Sequence, residues 1–315
     1  MDQLRAMRVF ARVVDAGNFS KAASSMDMAP AVATRLIAEL EEYLGARLLN
    51  RTTRRLALTE VGETYLDRVR NILSEVEDAE AVAGLAAAEP RGRLSVVVPP
   101  GFSVHQLAKH LPRFRALYPR VYLELTVQGQ LEVPDENHDV TIIAHRGKPI
   151  DGNFIARRIA SAEVVLVATP EYLDRRGRPQ HPDELAEHDM LMSLAASARR
   201  ELRFDPALGA SPPIILEYRG NPPVSTVHID TIYAACLGGL GIAGLPSFVA
   251  EDALMELALE RVLPQWHLQT VTIYATMPTR KHVPMRTRAF VDFLVETFAT
   301  ERPDPWLAAA GCESC

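Results

Sequence analysis

Residues 20–44 read SKAASSMDMAPAVATRLIAELEEYL, and this stretch decides the fold of the first part of the chain. It divides into two short helices around a tight turn, the second beginning at Pro30. Ala33, Leu36, Ile37, Leu40 and Leu44 recur at spacings of three and four, so they share one apolar side of that helix. Ala31, Thr34, Arg35 and Ala38, at i, i+3, i+4 and i+7, share another. That second side is a slim, mostly uncharged ridge bearing one guanidinium. It suits the major groove of a DNA duplex, which is wide enough for one helix. The expectation is a helix-turn-helix whose recognition helix starts at Pro30.

Working outward toward the amino terminus, a first helix is predicted from about Asp2 to Ala16. Leu4, Met7, Phe10, Val13 and Val14 form its buried stripe, and Gly17 ends it. Phe19 packs at the start of helix two, with Ser20 as its N-cap. Toward the carboxyl terminus, residues 46–59 read ARLLNRTTRRLALT. Two short strands are predicted near Leu48–Asn50 and Arg55–Leu58. Arg51, Thr52, Thr53, Arg54 and Arg55 crowd the turn between them. Beside a helix-turn-helix, such a wing is better read as a phosphate contact than as a solvated charge run.

Charge supports this division. The 315 residues hold 34 Lys and Arg against 40 Asp and Glu, a net charge of −6. Residues 1–58 contain nine basic and six acidic residues, leaving 25 and 34 for the rest, so a head of +3 sits on a body of −9. Local charge governs nucleic-acid binding. The length fits two or three domains. No apolar run reaches the roughly 18 residues of a membrane span. Met1 opens into an amphipathic helix without a secretory signal, and three cysteines are too few for a disulfide framework. These features point to the cytoplasm.

Residues 1–83 resemble the winged helix-turn-helix and linker of LysR-type transcriptional regulators. The resemblance is carried by Phe10, Val14, Gly17, Phe19, Ala22, Ala23, Pro30, Arg35, Ile37, Leu40, Glu41, Leu44, Gly45, Leu48, Leu49, Arg51, Leu58, Thr59 and Gly62. This chain departs from the family at Ala29 and Ala31, where relatives usually carry Ser. The DNA-contacting set expected here is Ser20, Pro30, Ala31, Thr34, Arg35, Ala38 and the wing residues Arg51, Thr52, Thr53, Arg54 and Arg55.

After this head (1–58), a linker helix is predicted over 59–88. Val61, Tyr65, Val69, Ile72, Val76, Ala79 and Ala83 form a single stripe on a charged rod. That stripe favours pairing with a second copy, which would set two recognition helices on an inverted-repeat operator. Glu89-Pro90-Arg91-Gly92 is the hinge. The resemblance implies a homotetramer built from dimers, with RNA polymerase as a further candidate partner.

The body, 89–300, alternates strand and helix. Strands are predicted at Leu94–Val98, Val121–Val127, Val140–Ala144, Val164–Ala168, Ile214–Tyr218, Ile242–Leu245 and Val271–Ala275. Helices are predicted after Gly101, after Pro170, at Ile229–Leu237, from Pro246 and at Pro284–Phe298. This suggests an α/β body of two lobes with mostly parallel sheets. The resemblance implies a periplasmic-binding-protein-like (type 2) effector domain. Crossings near Ala162 and Leu268 would give a first lobe of 91–161 plus 268–300, a second of 162–267, and a tail of 301–315. Ligands of such sheets sit beyond strand carboxyl ends. The expected effector contacts are therefore Gly101, Phe102, Ser103, His145, Arg146, Thr169, Val224, Ser225 and Thr226. Helix N-termini there suit a small anion, with Arg146 the best single candidate.

Other signals carry no chemistry. Gly239 to Gly244 spells G-x-G-x-x-G but follows a helix and opens a strand, the reverse of a dinucleotide fingerprint. Cys312 and Cys315 have C-x-x-C spacing without a second pair, so no metal site is expected. Cys236 reads as a small core residue. No nucleophile meets a base, so neither an enzyme nor a cofactor is expected. The alternative is a solute-binding or enzymatic α/β protein whose first helices only mediate assembly.

Overall fold

Helix α1 (Gln3–Ala16) opens the chain, capped by the Asp2 carboxylate on the Arg5 amide at 3.0 Å and closed by Gly17 at φ 62°. A computed structural model describes residues 2–51, 56–83, 89–129, 131–147, 150, 152–199, 201–207, 212–278, 283–299 and 304–312. It divides into two units, residues 1–89 and 90–315.

In the first unit α2 (Phe19–Ser25) and α3 (Pro30–Leu44) follow α1. The N-cap of α2 is Asn18, whose carboxamide oxygen accepts from the Ser20 and Lys21 amides at 2.7 and 3.3 Å. Ser20, expected as the cap, sits inside the first turn. Asn18 follows the left-handed Gly17 directly, so its short side chain reaches the free amides first. Ala33, Leu36, Ile37 and Leu40 of α3 are buried against α1 and α2. Strands β1 (Leu49–Arg51) and β2 (Leu56–Leu58) pair antiparallel, Arg51 opposite Leu56.

Helix α4 (Glu60–Ala83) is 24 residues long. The Thr59 hydroxyl accepts from the Gly62 amide at 2.9 Å. Gly62 lies so close to the wing that a Cβ would stand 2.1 Å from the Leu48 carbonyl oxygen. The single stripe expected on α4 is two faces. Leu66 and Val69 are buried in the head core, with Tyr65 and Leu73 packed against it. Val61 and Ile72 stay exposed. The three-and-four spacing covers both faces of so long a helix, and the small head core takes only one.

The second unit is built on a single nine-stranded sheet. It uses β3 (Gly92–Val98), β4 (Val121–Val127), β5 (Val140–Arg146), β6 (Phe154–Ala168), β7 (Met190–Ser193), β10 (Ser225–Thr226), β11 (Ile242–Pro246), β12 (Glu260–Val262) and β14 (Gln269–Pro278). The order is β10-β7-β11-β6-β14-β5-β3-β4, with β12 also on β6. β8 (Glu201–Pro206), β9 (Ile214–Glu217) and β13 (Trp266–His267) form a small separate sheet. The outer pairs are parallel, but β6 is antiparallel to β14, β11 and β12. The expectation of mostly parallel sheets therefore fails at the centre. β6 and β14 are long enough to serve both lobes: Val164 pairs with Gln269 of β14 and with Pro246 of β11.

Helices cover both faces. α5 (Pro100–Phe102) continues through a π-helical turn, Ser103–Leu107, into α6 (Ala108–Leu117). α7 (Pro170–Arg176), α8 (Leu194–Arg199), α9 (Ile229–Leu237), α10 (Ser247–Met255) and α11 (Met285–Thr297) follow, and α12 (Pro305–Ala309) comes last. The stretch 304–312 is thus folded, where a tail was expected. Four hydrophobic clusters result: one in the head, one centred on Phe114 and Phe290, and two in the second lobe.

Candidate functional site

Two sites emerge, one in each unit. In the head, the stability of α3 and its presentation are separated by face. One side is sealed in the core. On the other, Pro30, Ala31, Arg35 and Ala38 are exposed and Thr34 is half-buried. The Arg35 side chain is 70% exposed, and its Nε lies 3.6 Å from Glu39 one turn on. The Thr34 hydroxyl donates to the Pro30 carbonyl at 3.0 Å. Ala29 makes no side-chain cap, and Pro30 at the first position compensates with its fixed φ. Ser20 is exposed on α2.

The wing hangs from the recognition helix by one carboxylate. Glu41 Oε1 accepts from the Leu48 and Leu49 amides at 2.8 and 3.0 Å. This tie joins residues seven and eight positions apart across a helix end, so no local spacing marks Glu41 for it. Arg51 lies in β1, while Thr52, Thr53, Arg54 and Arg55 lie outside the described residues.

In the second unit the lobes meet along α5, the π turn and α6 on one side and α9 and α10 on the other. A Cβ on Gly101 would stand 2.7 Å from Ile229 Cγ2 and 3.3 Å from Val249 Cγ2. His105 Nε2 lies 2.9 Å from Asp230 Oδ1, and its ring meets Tyr233 edge-on at 4.9 Å. Gln106 donates to the Phe248 carbonyl and to Glu251, both at 2.8 Å. Lys109 reaches Glu251 and Asp252 at 2.9 and 2.6 Å. Burial opposes its charge, yet the hydrogen bonds to the two carboxylates hold its pKa above the usual lysine value.

The expected effector residues are only partly gathered. Gly101 and Ser103 lie at this contact, but Phe102 is a core residue, 1% exposed, its ring edge-on to Phe248 at 5.7 Å. His145 and Arg146 occupy the row where β5 meets the crossing strands, opposite Thr272 and Val271, which in turn face Ser161 and Ala162. Ser225 and Thr226 form β10, which leads into the amino end of α9; Thr226 accepts from the His228 amide at 3.1 Å. Val224 packs on a second-lobe cluster. Thr169 is elsewhere. It is 5% exposed and caps α7 through the Tyr172 amide. Because β6 runs antiparallel to its neighbours, its carboxyl end points away from the crossing. At about 3.3 Å per residue, Thr169 lies roughly 20 Å beyond Ala162. The expected contact at Thr169 needs a parallel strand there, and β6 is antiparallel.

Residues missed by that reading include His105 and Asp230, which bridge the lobes, and Ser193 at the carboxyl end of β7, opposite Thr226. An open recess lies between α6, α10 and α12, lined by Lys109, His110, Glu251, Asp252 and Trp306 among others. Burial, then the neighbouring Lys109 and Arg113 charges, lowers the His110 pKa. Among the described residues no group of three His, Cys, Asp or Glu could hold a metal. No described helix is long and apolar enough to cross a membrane. Cys236 is buried at the turn spelled G-x-G-x-x-G, donating to the Val167 and Gly241 carbonyls at 3.5 and 3.6 Å.

Comparison with known proteins supplies the family. A family model for the bacterial regulatory helix-turn-helix protein of the lysR family matches residues 4–63, and one for the LysR substrate binding domain matches residues 87–299. The chain is 32% identical over 306 residues to an HTH-type transcriptional repressor of Pseudomonas aeruginosa, covering 96% of this chain and 94% of that protein. It is 33% identical over 301 residues to the HTH-type transcriptional regulator CrgA of Neisseria meningitidis serogroup B, covering 92% and 95%. The solved structure of CrgA superposes with a TM-score of 0.58 at 32% identity, over 94% of this chain and 99% of that one. That of the Vibrio cholerae virulence activator AphB gives 0.57 at 26%, over 94% and 99%. The chain therefore belongs to the LysR family, as a DNA-binding transcriptional regulator that joins a helix-turn-helix head to an effector-binding regulatory domain.

Proposed function

We propose that the protein binds an inverted-repeat operator as a two-fold dimer, reading bases with Ala31, Thr34, Arg35 and Ala38. Ser20, Pro30 and the wing residues 51–55 contact phosphates. The observation that carries this is the division of α3: a sealed apolar side opposite an exposed ridge with Arg35 at its centre. The exposed Val61 and Ile72 on α4 support pairing through the linker helix, and a tetramer would follow from pairing those dimers. An effector, of a size and charge suited to helix N-termini, is held by Gly101, Ser103, His145, Arg146, Ser225 and Thr226. It acts by binding one arrangement of the lobes better than another. The cytoplasm is the compartment this activity requires, and RNA polymerase is a natural partner at the promoter.

Gel shifts test the reading. Arg35→Ala should weaken operator binding roughly 10- to 100-fold, as expected for a base contact of about 1–3 kcal/mol, and random-DNA binding much less. Equal loss on both would remove Arg35 from base reading. Arg54→Ala should weaken both alike and reduce the salt slope by about one. An unchanged slope would remove the wing from the phosphates. Footprinting upstream of the protein's own gene would supply the operator.

A further inference from the structure

Residues 304–312 lie past the family match, which ends at residue 299. Asp304, Trp306 and Leu307 among them are nevertheless buried. Trp306 and Leu307 are 2% and 3% exposed, and these adjacent side chains enter different hydrophobic clusters. Trp306 enters the cluster centred on Phe114 and Phe290, its ring 5.7 Å from Phe298 of the first lobe, beyond α11, and 5.5 Å from Phe248 of the second lobe's α10. Leu307 enters a cluster of the second lobe with Val165, Leu254 and Leu259. Asp304 joins them to the crossing strand. Its Oδ2 accepts from the Glu163 amide of β6 at 2.7 Å, while Oδ1 caps α12 through the Trp306 and Leu307 amides at 3.0 and 3.1 Å. At the far end Arg261 donates to the Cys312 carbonyl at 3.4 Å.

We propose that residues 304–312 are a clasp between the two lobes, which sets how far they close on one another. One short segment touches both lobes through an indole, holds the second again by a leucine, and holds the strand between them by a carboxylate. Movement of either lobe about β6 and β14 must therefore displace the clasp or carry it along. The clasp also forms one wall of the recess between α6, α10 and α12, through Pro305 and Trp306. Burial raises the Asp304 carboxyl above the usual range, although the Glu163 amide, the Ser247 hydroxyl and the Leu307 and Trp306 amides oppose that shift. The proposal does not depend on which effector, or which operator, the protein uses.

Hydrogen–deuterium exchange on the full-length protein tests it. Asp304→Asn keeps an oxygen for the α12 cap but turns an NH₂ toward the Glu163 amide, so the tie to β6 is lost. The expected result is exchange roughly five- to tenfold faster in 304–312, around Glu163, and in the facing segments 100–117 and 229–255. The ladder between 92–98 and 121–127 and the head helices should be unchanged. Trp306→Phe, which keeps a ring, should give the same pattern more weakly and serves if the first variant does not fold. Faster exchange confined to 304–312 would overturn the proposal, making the segment a plug. No change anywhere would overturn it as well. So would a uniform rise that includes 92–98 and 121–127, which would assign the segment to general stability.

Discussion

Glu41→Ala should unfasten the wing from the recognition helix, and the size of the effect follows from two hydrogen bonds. Glu41 Oε1 accepts from the Leu48 and Leu49 amides at 2.8 and 3.0 Å. Leu48 and Leu49 are 0% and 2% exposed, so water has little access to replace the carboxylate. A hydrogen bond to a charged group contributes about 1.5–3 kcal/mol, and an orphaned buried amide costs about 1–3 kcal/mol. Glu41 itself is only half-buried, and the strand can relax, so the two bonds together should be worth about 2–4 kcal/mol. Glu41→Gln keeps an acceptor oxygen and should cost about 1 kcal/mol. In a domain this small, each kcal/mol moves Tm by about 4–8 °C. Scanning calorimetry of the full chain should show the amino-terminal transition at least about 8 °C lower for Ala. The transition of the second unit should stay in place. Operator affinity should fall with it, since the wing would lose its angle to α3. A shift below about 2 °C for Ala, or equal losses for Ala and Gln, would refute the reasoning.

Other predictions are narrower. Gly62→Ala places a Cβ 2.1 Å from the Leu48 carbonyl oxygen, and neither backbone can yield. It should lower the head's Tm despite the better helix propensity of alanine, by an overpacking cost of about 1–3 kcal/mol. Burial pushes the Cys236 thiol up to about 12 from its ordinary 9.0. The folded thiol should resist iodoacetamide at pH 8 until the protein unfolds. Because the unfolded thiol ionises first, stability should fall as pH rises from 9.0 toward about 12. Cys236→Ala should flatten that part of the pH–stability curve, and an unchanged slope would assign the alkaline loss to other groups.

Much of the head was legible because its signals are local. Gly17 and Gly45 end helices in the left-handed conformation, and the apolar spacing of α3 matches its buried face. Val121–Val127 and Ile229–Leu237 were likewise legible to the residue. The failures have physical causes. β7 is four residues, Met190–Ser193, too short for periodicity. The first half of β6 carries exposed Arg157 and Arg158 and a register shift against β14, so its alternation is broken. β8 does alternate at Leu202 and Phe204, a signal that was present and overlooked. Two contacts were beyond any local reading: His105 on Asp230, 125 positions apart, and Asp304 on Glu163, 141 apart. Such pairs exist only once the chain has folded back. The prolines and glycine near the end of the chain resembled those of a loose terminus, yet Pro305 opens a helix there.

The Thr34 hydroxyl spends its single proton on the Pro30 carbonyl. Toward a duplex it keeps only lone pairs and a methyl group. On a groove floor it can therefore accept a hydrogen bond from the exocyclic amine of cytosine or adenine, or rest against a thymine methyl. It has nothing to offer the O6 or N7 of guanine. With no hydroxyl at Ala31 either, Arg35 is the one donor in the proposed base-reading set able to serve guanine, and operators that put guanine beneath Thr34 should bind more weakly.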